Sequence, residues 1–598
     1  MAPYIDLAEY LFRRLHQIGV RSVHGVPGDY NLTALDYVEP AGLHWVGNAN
    51  ELNAGYAADG YARVRGLGAL VTTGGVGELS AINAIAGSYA ERAAVVHIVG
   101  TPPRKAQNEG LIFHHTLGDG NFRLFAEMAA KVTVAQANLI NEETATAEID
   151  RTLQAAVLNS RPVYIEFPID MVKARVPAAA LDTPLDVTVH FTDEGFEDTE
   201  VDLILEKMYT AKQPFIIVDG FTSRYGISQE ADELVRVTGF PTSTTPFGKG
   251  IINESYPNFH GIYAGAAGKP IYNPWAYGTD LVLRIGPLNS DVNTYGFSVI
   301  PDKHKAITFD RDSVEITGTK YTNVHVKALL RKILDKLDKK KLVSEEPYPD
   351  LGVPAQELKA LPSTDPEAVI DQETFWQRIS TFFRPGDVIL TETGTPSMGG
   401  REFVLPPHTS LINSSIWLSI GYMLGAAQGA ALALREAIAE GKQSEGRAIL
   451  FEGDGSLQMT AQVISDIIKN RLDITIFVIN NDGYTIERWI HGMKAHYNDI
   501  QPWRYLEAPS YFGAPTNDPE YPVLTKRAAN WGELWEILAD PQLQKGKGLN
   551  IVEVLMTKED CPDTLKKLVQ SVNRRNSGEQ ERPHKQPRLE EEIVKAAG

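Results

Sequence analysis

Two stretches constrain this 598-residue chain more than any others: FEGDGSLQMT at 451–460 and VINNDGYTIE at 478–487. Each polar, glycine-containing turn follows a short apolar run, residues 448–451 in the first case and 474–479 in the second. Apolar runs of this length, closed by turn residues, are the pattern of strands buried on both faces of a parallel sheet. If the two runs are neighbours in such a sheet, their carboxyl ends lie side by side. Asp454 and Asn481, distant in sequence, then face one crevice, and open parallel sheets bind their ligands in such crevices.

The same alternation fills most of the chain. Residues 7–18 read as an amphipathic helix, and 23–25, 69–73 and 95–99 as short buried strands, which predicts a doubly wound unit up to about Pro177. A second segment places strands at 215–218 and 281–285 and closes with a charged helix over 326–341. A third places them at 388–391, 448–451, 474–479 and 550–555. The expected fold class is therefore α/β, with three doubly wound parallel-sheet domains at 1–185, 195–343 and 370–562. A Pro- and Glu-rich linker is expected at 344–369 and a tail at 563–598, polar and poorly ordered from Ser571. The length suits several domains rather than one.

Composition removes some classes of function. A net charge of −19 argues against general nucleic-acid affinity, and KKK at 339–341 reads as a solvated helix end. The single cysteine, Cys561, excludes an intrachain disulfide framework and a cysteine-rich metal site. The N-terminus lacks the basic start and apolar core of a signal peptide. The most apolar long run, residues 418–434, is rich in Gly and Ala and reads as a buried core helix, so no membrane partner and a cytoplasmic location are expected. The stretch from Gly265 to Lys269 resembles a phosphate loop only faintly; Pro270 stands where a metal-holding Ser or Thr would be needed, and the stretch reads as structural.

The chemistry concentrates in the paired turns. Asp454 offers a carboxylate, Asn481 an amide oxygen and Gly483 a backbone carbonyl, an all-oxygen set suited to Mg²⁺ or Ca²⁺. Such a set leaves room for water and phosphate oxygens. Gly455 lets the backbone approach a phosphate closely, and Ser456 with the helix start beyond it supplies donors. A lone GDG is usually only a turn; the pair, each half following a strand, is far more specific.

GDGS with NN at this separation resembles the thiamine diphosphate-binding motif. Around it stand Glu51 in GNANELNAGYAADGYAR, His114-His115 in LIFHHTLGDG, Glu487 in GYTIERWIHG, Asp29 in GVPGDYNL and Glu91 in SYAER. Together these resemble the thiamine diphosphate-dependent 2-oxo acid decarboxylases, on their fungal pyruvate decarboxylase branch, from about Tyr4 to Pro562. The resemblance implies pyrimidine-binding, middle and diphosphate-binding domains, with thiamine diphosphate and Mg²⁺ as cofactors. It implies that Asp454, Asn481 and Gly483 hold the metal and that Glu51 bonds a ring nitrogen of the cofactor's pyrimidine. It makes Asp29, His114, His115 and Glu487 the groups that handle the substrate carboxylate and the proton steps. It makes Ile420 the apolar wedge between the cofactor rings, with Thr395, Leu418, Ser419, Ile486, Gly455 and Ser456 as further cofactor contacts. The implied reaction is non-oxidative loss of carbon dioxide from a small 2-oxo acid, most simply pyruvate, leaving an aldehyde. The implied assembly is a homodimer at least, extending to a tetramer.

Three features depart from the family pattern. Gly74 replaces a usual aromatic and is expected to loosen its loop; VDGFTSRYG at 218–226 lacks the cysteine of some relatives, which puts thiol-based activation in doubt; and Val292 and Leu568 fall where relatives vary the substrate pocket. Two alternatives follow: a decarboxylase of aromatic or branched 2-oxo acids on the same scaffold, and a structural or assembly paralogue with impaired catalysis.

Overall fold

The structure is a computed structural model that describes residues 4–188, 198–342, 348–443 and 445–576. Its framework is three large sheets. The first orders its strands His44–Trp45, Ser22–Gly25, Gly68–Thr73, Val95–Thr101, Val163–Pro168 and Gln136–Asn138, every pair parallel. The third orders Ser410–Ile412, Val388–Thr391, Ala448–Gly453, Ile474–Asn480, Leu549–Leu555 and Val523–Ala528, again all parallel. The second is parallel through Pro214–Val218, Leu281–Ile285 and Ala306–Asp310 and then adds Ser313–Ile316 and Thr319–Thr322 as an antiparallel edge. The last turn places Thr317 at φ 46° and Gly318 at φ 94°, the double left-handed conformation that a tight two-residue hairpin needs. A short antiparallel ladder between Tyr4–Asp6 and Arg175–Pro177 ties the two ends of the first unit together.

Several elements differ from the sequence reading, each for a local reason. The apolar run at 418–434 is not helical from its start: Leu418 has φ 54° and Gly421 φ 83°, and the helix is Tyr422–Ala439. The charged helix stops at Lys336, because Leu337 leaves helical geometry and the Asp338 carboxylate caps a separate turn, Lys339–Lys341. Within 344–369, of which 344–347 lie outside the described residues, the chain forms a helix at Pro354–Ala360, held to the second unit by a Lys269–Glu357 ion pair and by buried Leu351. In the stretch read as tail, Asp563–Asn576 is a helix that buries Leu565, Leu568 and Val569; residues 577–598 lie outside the described ones.

The first unit packs on the third through a helix crossing. Glu51–Arg65 lies on Tyr422–Ala439, and glycines let the backbones touch. A Cβ on Gly60 would stand 2.1 Å from the Ala426 carbonyl oxygen, and one on Gly429 1.9 Å from that of Ala57. Beside the contact the Arg63 guanidinium bonds Asp59 and Glu91, both at 2.7 Å, and Asp59 also accepts from Tyr422 and Ser88. Burial pushes the Asp59 carboxyl up, but Arg63 and the two hydroxyl donors together hold it below its ordinary value. With every charge paired, the network can remain buried.

The crossing predicts that Gly60→Ala and Gly429→Ala each destabilise the chain by about 1–3 kcal/mol, the usual cost of overpacking a tight core. Denaturant unfolding of the purified variants checks this; unchanged midpoints would show that the helices can separate freely.

Candidate active site

Strand Ala448–Gly453 runs directly into helix Asp454–Thr460, so Asp454 stands at the carboxyl edge of the third sheet. Gly453 is level with Ile479 on the neighbouring strand, and Asn481 follows the end of that strand by one residue. The juxtaposition expected from the paired turns is therefore present.

Asp454 is 1% exposed. Its Oδ1 accepts from the Gly455 N–H at 2.8 Å and its Oδ2 from the Gly483 N–H at 3.0 Å. Burial still pushes its carboxyl up to about 7, against the pull of these donors. The Asn481 amide lies between two acceptors, Asp454 Oδ1 at 3.2 Å and the Gly483 carbonyl at 3.0 Å, with its other end 3.0 Å from the Thr485 hydroxyl; with no cation present its nitrogen, turned inward, donates to both acceptors. With its oxygen turned inward instead, the amide completes a set of three oxygens that is favourable only around a cation. A carboxylate, an amide oxygen and a peptide carbonyl are the donors a hard divalent ion prefers, so the residues fit Mg²⁺. Gly483 is at φ 123°, and a Cβ there would meet the Asn498 carbonyl at 2.4 Å, so no other residue could present that carbonyl.

Thr395, Ile420, Gly455, Ser456, Ile486 and Glu487 border the same crevice. Burial raises the Glu487 carboxyl, which favours a form that carries a proton. The glycine at 455 also accommodates the Tyr484 ring, which lies 2.6 Å from where a Cβ would stand. Leu418 and Ser419 do not border the crevice; the Ser419 hydroxyl bonds Tyr56 at 2.8 Å and Asn83 at 3.2 Å.

The loop that delivers Ile420 is fixed by two carboxylates to which the sequence reading gave no role. Glu91, from the first unit, accepts from the Ser414 hydroxyl at 2.6 Å and from the successive N–H groups of Ser415, Ile416 and Trp417 at 3.0–3.2 Å. Glu392 accepts from the N–H groups of Thr393 and Met423, both at 2.7 Å. Burial pushes Glu392 up to about 7, and burial with Glu392 beside it raises Glu452 far above the carboxylate range. Among the described residues neither oxygen of Glu452 has a hydrogen-bond partner, so a neutral carboxyl is the form that this site tolerates. Glu91 was visible only as part of SYAER, because a lone glutamate at a helix end has no periodic signature.

The remaining predicted residues gather at the carboxyl edge of the first sheet. His114 Nε2 lies 2.5 Å from Asp29 Oδ2, and His115 Nε2 lies 3.8 Å from Asp29 Oδ1. The Tyr30 ring stacks on His114 at 5.1 Å, and its hydroxyl donates to the His114 carbonyl at 3.1 Å. His115 takes φ 64°, and its carbonyl occupies the place a Cβ on Gly75 would need, 1.7 Å away. Gly74 does not leave its loop slack: its N–H bonds the Gly100 carbonyl at 2.8 Å, and a Cβ would press to 3.0 Å from that oxygen. Glu51 opens helix Glu51–Arg65, its Oε1 3.1 Å from where a Cβ on Gly77 would stand. Asp29, Glu51, His114 and His115 are absent from the lining of the crevice at Asp454. Val292 and Leu568 pack in one apolar cluster with Ile486 and Trp489, beside that crevice.

Comparison with known proteins agrees with this geometry. Residues 5–123, 201–337 and 392–516 match the N-terminal TPP binding, central and C-terminal TPP binding domains of thiamine pyrophosphate enzymes. The chain is 46% identical to a pyruvate decarboxylase of Aspergillus parasiticus over 94% of its own length and 96% of the relative's. It is 40% identical to pyruvate decarboxylase isozyme 1 of Saccharomyces cerevisiae over 94% and 97%. A solved thiamine diphosphate-dependent 4-hydroxybenzoylformate decarboxylase from Rhodococcus jostii RHA1 shares the fold, with a TM-score of 0.73 at 17% identity over 92% of this chain and 99% of that one. The chain belongs to the thiamine pyrophosphate enzymes and, within them, to the family of the fungal pyruvate decarboxylases.

Proposed function

We infer that this protein is a thiamine diphosphate-dependent carboxy-lyase that converts a small 2-oxo acid, pyruvate, into an aldehyde and carbon dioxide. The observation that carries this reading is the convergence of the Asp454 carboxylate, the Asn481 amide and the Gly483 carbonyl at the strand ends, in a chain whose relatives are named pyruvate decarboxylases. Thiamine diphosphate, when bound, supplies the carbon nucleophile and the electron sink. The protein's own residues hold, orient and protonate.

Asp454, Asn481 and the Gly483 carbonyl would hold the divalent cation, whose charge would favour the cofactor's diphosphate at the third unit. Thr395 and Ser456 offer hydroxyls to the same end. Ile420 supplies the apolar edge, with its loop set by Glu91 and Glu392. Glu487, with its carboxyl raised by burial, is poised to hold a proton at the substrate end. Glu51 bonds the pyrimidine ring, and Asp29 with His114 and His115 orders the substrate's carboxylate and the proton steps.

Glu51 and the Asp454 crevice belong to one site only if a second copy brings its first unit to this chain's third. Ile112 and Leu117, on either side of the histidine pair, are 68% and 60% exposed, and Val76 beside Gly75 is 54% exposed, an apolar surface suited to such a contact. A homodimer at least is therefore part of the proposal, with a tetramer of paired dimers and a cytoplasmic location beyond it.

Asp454→Ala should abolish the Mg²⁺ dependence of cofactor affinity in a titration. In the native chain a proton must leave Asp454 before the cation enters. Cation affinity should therefore fall by up to about tenfold for each pH unit below about 7. Affinity that is flat from pH 7 to 5 would remove Asp454 from the ligand set.

Glu51→Gln should slow exchange of the cofactor's thiazolium proton by roughly 10²-fold or more while the cofactor still binds; exchange at the native rate would end the assignment.

Mixing Glu51→Gln chains with Asp454→Ala chains should restore activity, because a mixed dimer holds one intact site. Two inactive parents that stay inactive after verified subunit exchange would show that each site is built within one chain.

A further inference from the structure

Residues 44–50 lead into the helix that begins at Glu51, and one element of the third unit, helix Val463–Lys469, with Asn470 just beyond it, holds them. His44 Nε2 lies 3.1 Å from Asn470 Oδ1, and the Asn470 amide donates to the Val46 carbonyl at 3.4 Å. Lys469 Nζ donates to the Gly47 carbonyl at 3.1 Å, and Gly47, at φ 65°, leaves that ammonium room which a Cβ 2.4 Å away would deny. Asp466 Oδ2 accepts from the Ala49 N–H at 3.2 Å and from the Asn48 amide at 3.3 Å. Asn48 also donates to Gln428 at 2.9 Å and accepts from the Gly25 N–H at 3.1 Å.

Asp466 is 3% exposed. A buried carboxylate here costs desolvation, and burial pushes it up to about 6 although Ala49, Asn48 and Lys469 oppose the shift. The return on that cost is local: its acceptor fixes the Ala49 peptide two residues before Glu51. Asn50, between them, caps the helix by accepting from the Asn53 N–H at 2.8 Å. Turning the Ala49 peptide would move the cap and with it the first helical residue, Glu51.

We propose that Asp466 is a positioning residue for Glu51, holding its carboxylate at the place from which it acts on the cofactor. The proposal rests on the reading of Glu51 given above. It joins two ends of the reaction within one chain, because helix Val463–Lys469 follows helix Asp454–Thr460 after only Ala461 and Gln462. The segment that starts at the cation ligand ends on the loop that aims Glu51. In a dimer those two groups serve different sites, so the segment lies between them.

The test uses the full-length dimer with Asp466→Ala, Asp466→Asn, Glu51→Gln and the double variant Glu51→Gln/Asp466→Ala. In cofactor-free protein, amide hydrogen exchange over residues 47–53 should rise about tenfold or more in Asp466→Ala, because a buried N–H loses its acceptor. With cofactor, thiazolium proton exchange should slow about tenfold, within what a small misplacement of a catalytic group costs. Mg²⁺-dependent cofactor affinity should stay within about twofold, and Asp466→Asn, which keeps a carbonyl acceptor, should stay within about threefold of native exchange. The double variant should be no slower than Glu51→Gln alone, since Asp466 acts through Glu51. A folded Asp466→Ala with native proton exchange overturns the proposal, as does an additive loss in the double variant. Native proton exchange in Glu51→Gln is a different failure, that of the reading of Glu51. If Asp466→Ala does not fold, Asp466→Ser carries the same comparisons.

Discussion

The crossing of Glu51–Arg65 over Tyr422–Ala439 is the constraint on which the architecture rests. The helices meet backbone to backbone at Gly60 and Gly429, where no side chain could intervene. That contact sets the relation of the first sheet to the third. Glu51 opens one of the crossed helices, and the Ile420 loop leads into the other. A rigid crossing thus carries a proposed proton-handling group at one end and a proposed cofactor-shaping residue near the other.

Around the crossing, charge is buried where it can organise backbone. Glu91 reaches from the first unit to the three N–H groups before Leu418, and Glu392 reaches from the third to the start of the following helix. Asp466 reaches the opposite way, from the third unit to the loop before Glu51. Each carboxylate costs desolvation, and each offsets it by satisfying donors that a buried loop would otherwise leave unpaired. Loops buried between sheets need such acceptors, whereas strands satisfy their own backbone. The site is therefore fixed by polar groups outside the crevice lining, standing behind those that border it.

Much of the site was legible because strand geometry is local. The apolar runs before GDGS and NNDG were enough to place Asp454 and Asn481 side by side, since parallel register brings strand ends level. The donor set followed from residue type alone. The carboxylates Glu91, Glu392, Glu452 and Asp466 were not legible, because a charged residue on one unit gives no local sign of the backbone it meets on another. Leu418 and Gly421 were misread as helix because left-handed turns leave no hydrophobic signature, and Gly and Ala suit both conformations.

By itself the sequence determined the α/β class, the repeated strand-and-helix rhythm and the polar turns at the strand ends, because each depends on residues close together in the chain. Only the tertiary structure decided which polar groups share a site. It placed Glu487 with Asp454, and kept Asp29, His114, His115 and Glu51 on the other sheet. It also showed that Gly455 accommodates the Tyr484 ring and that a helix at 563–576 covers an apolar cluster. Those outcomes depend on how whole sheets pack against one another, and packing is set by glycines, buried charges and shapes that meet only once the chain has folded.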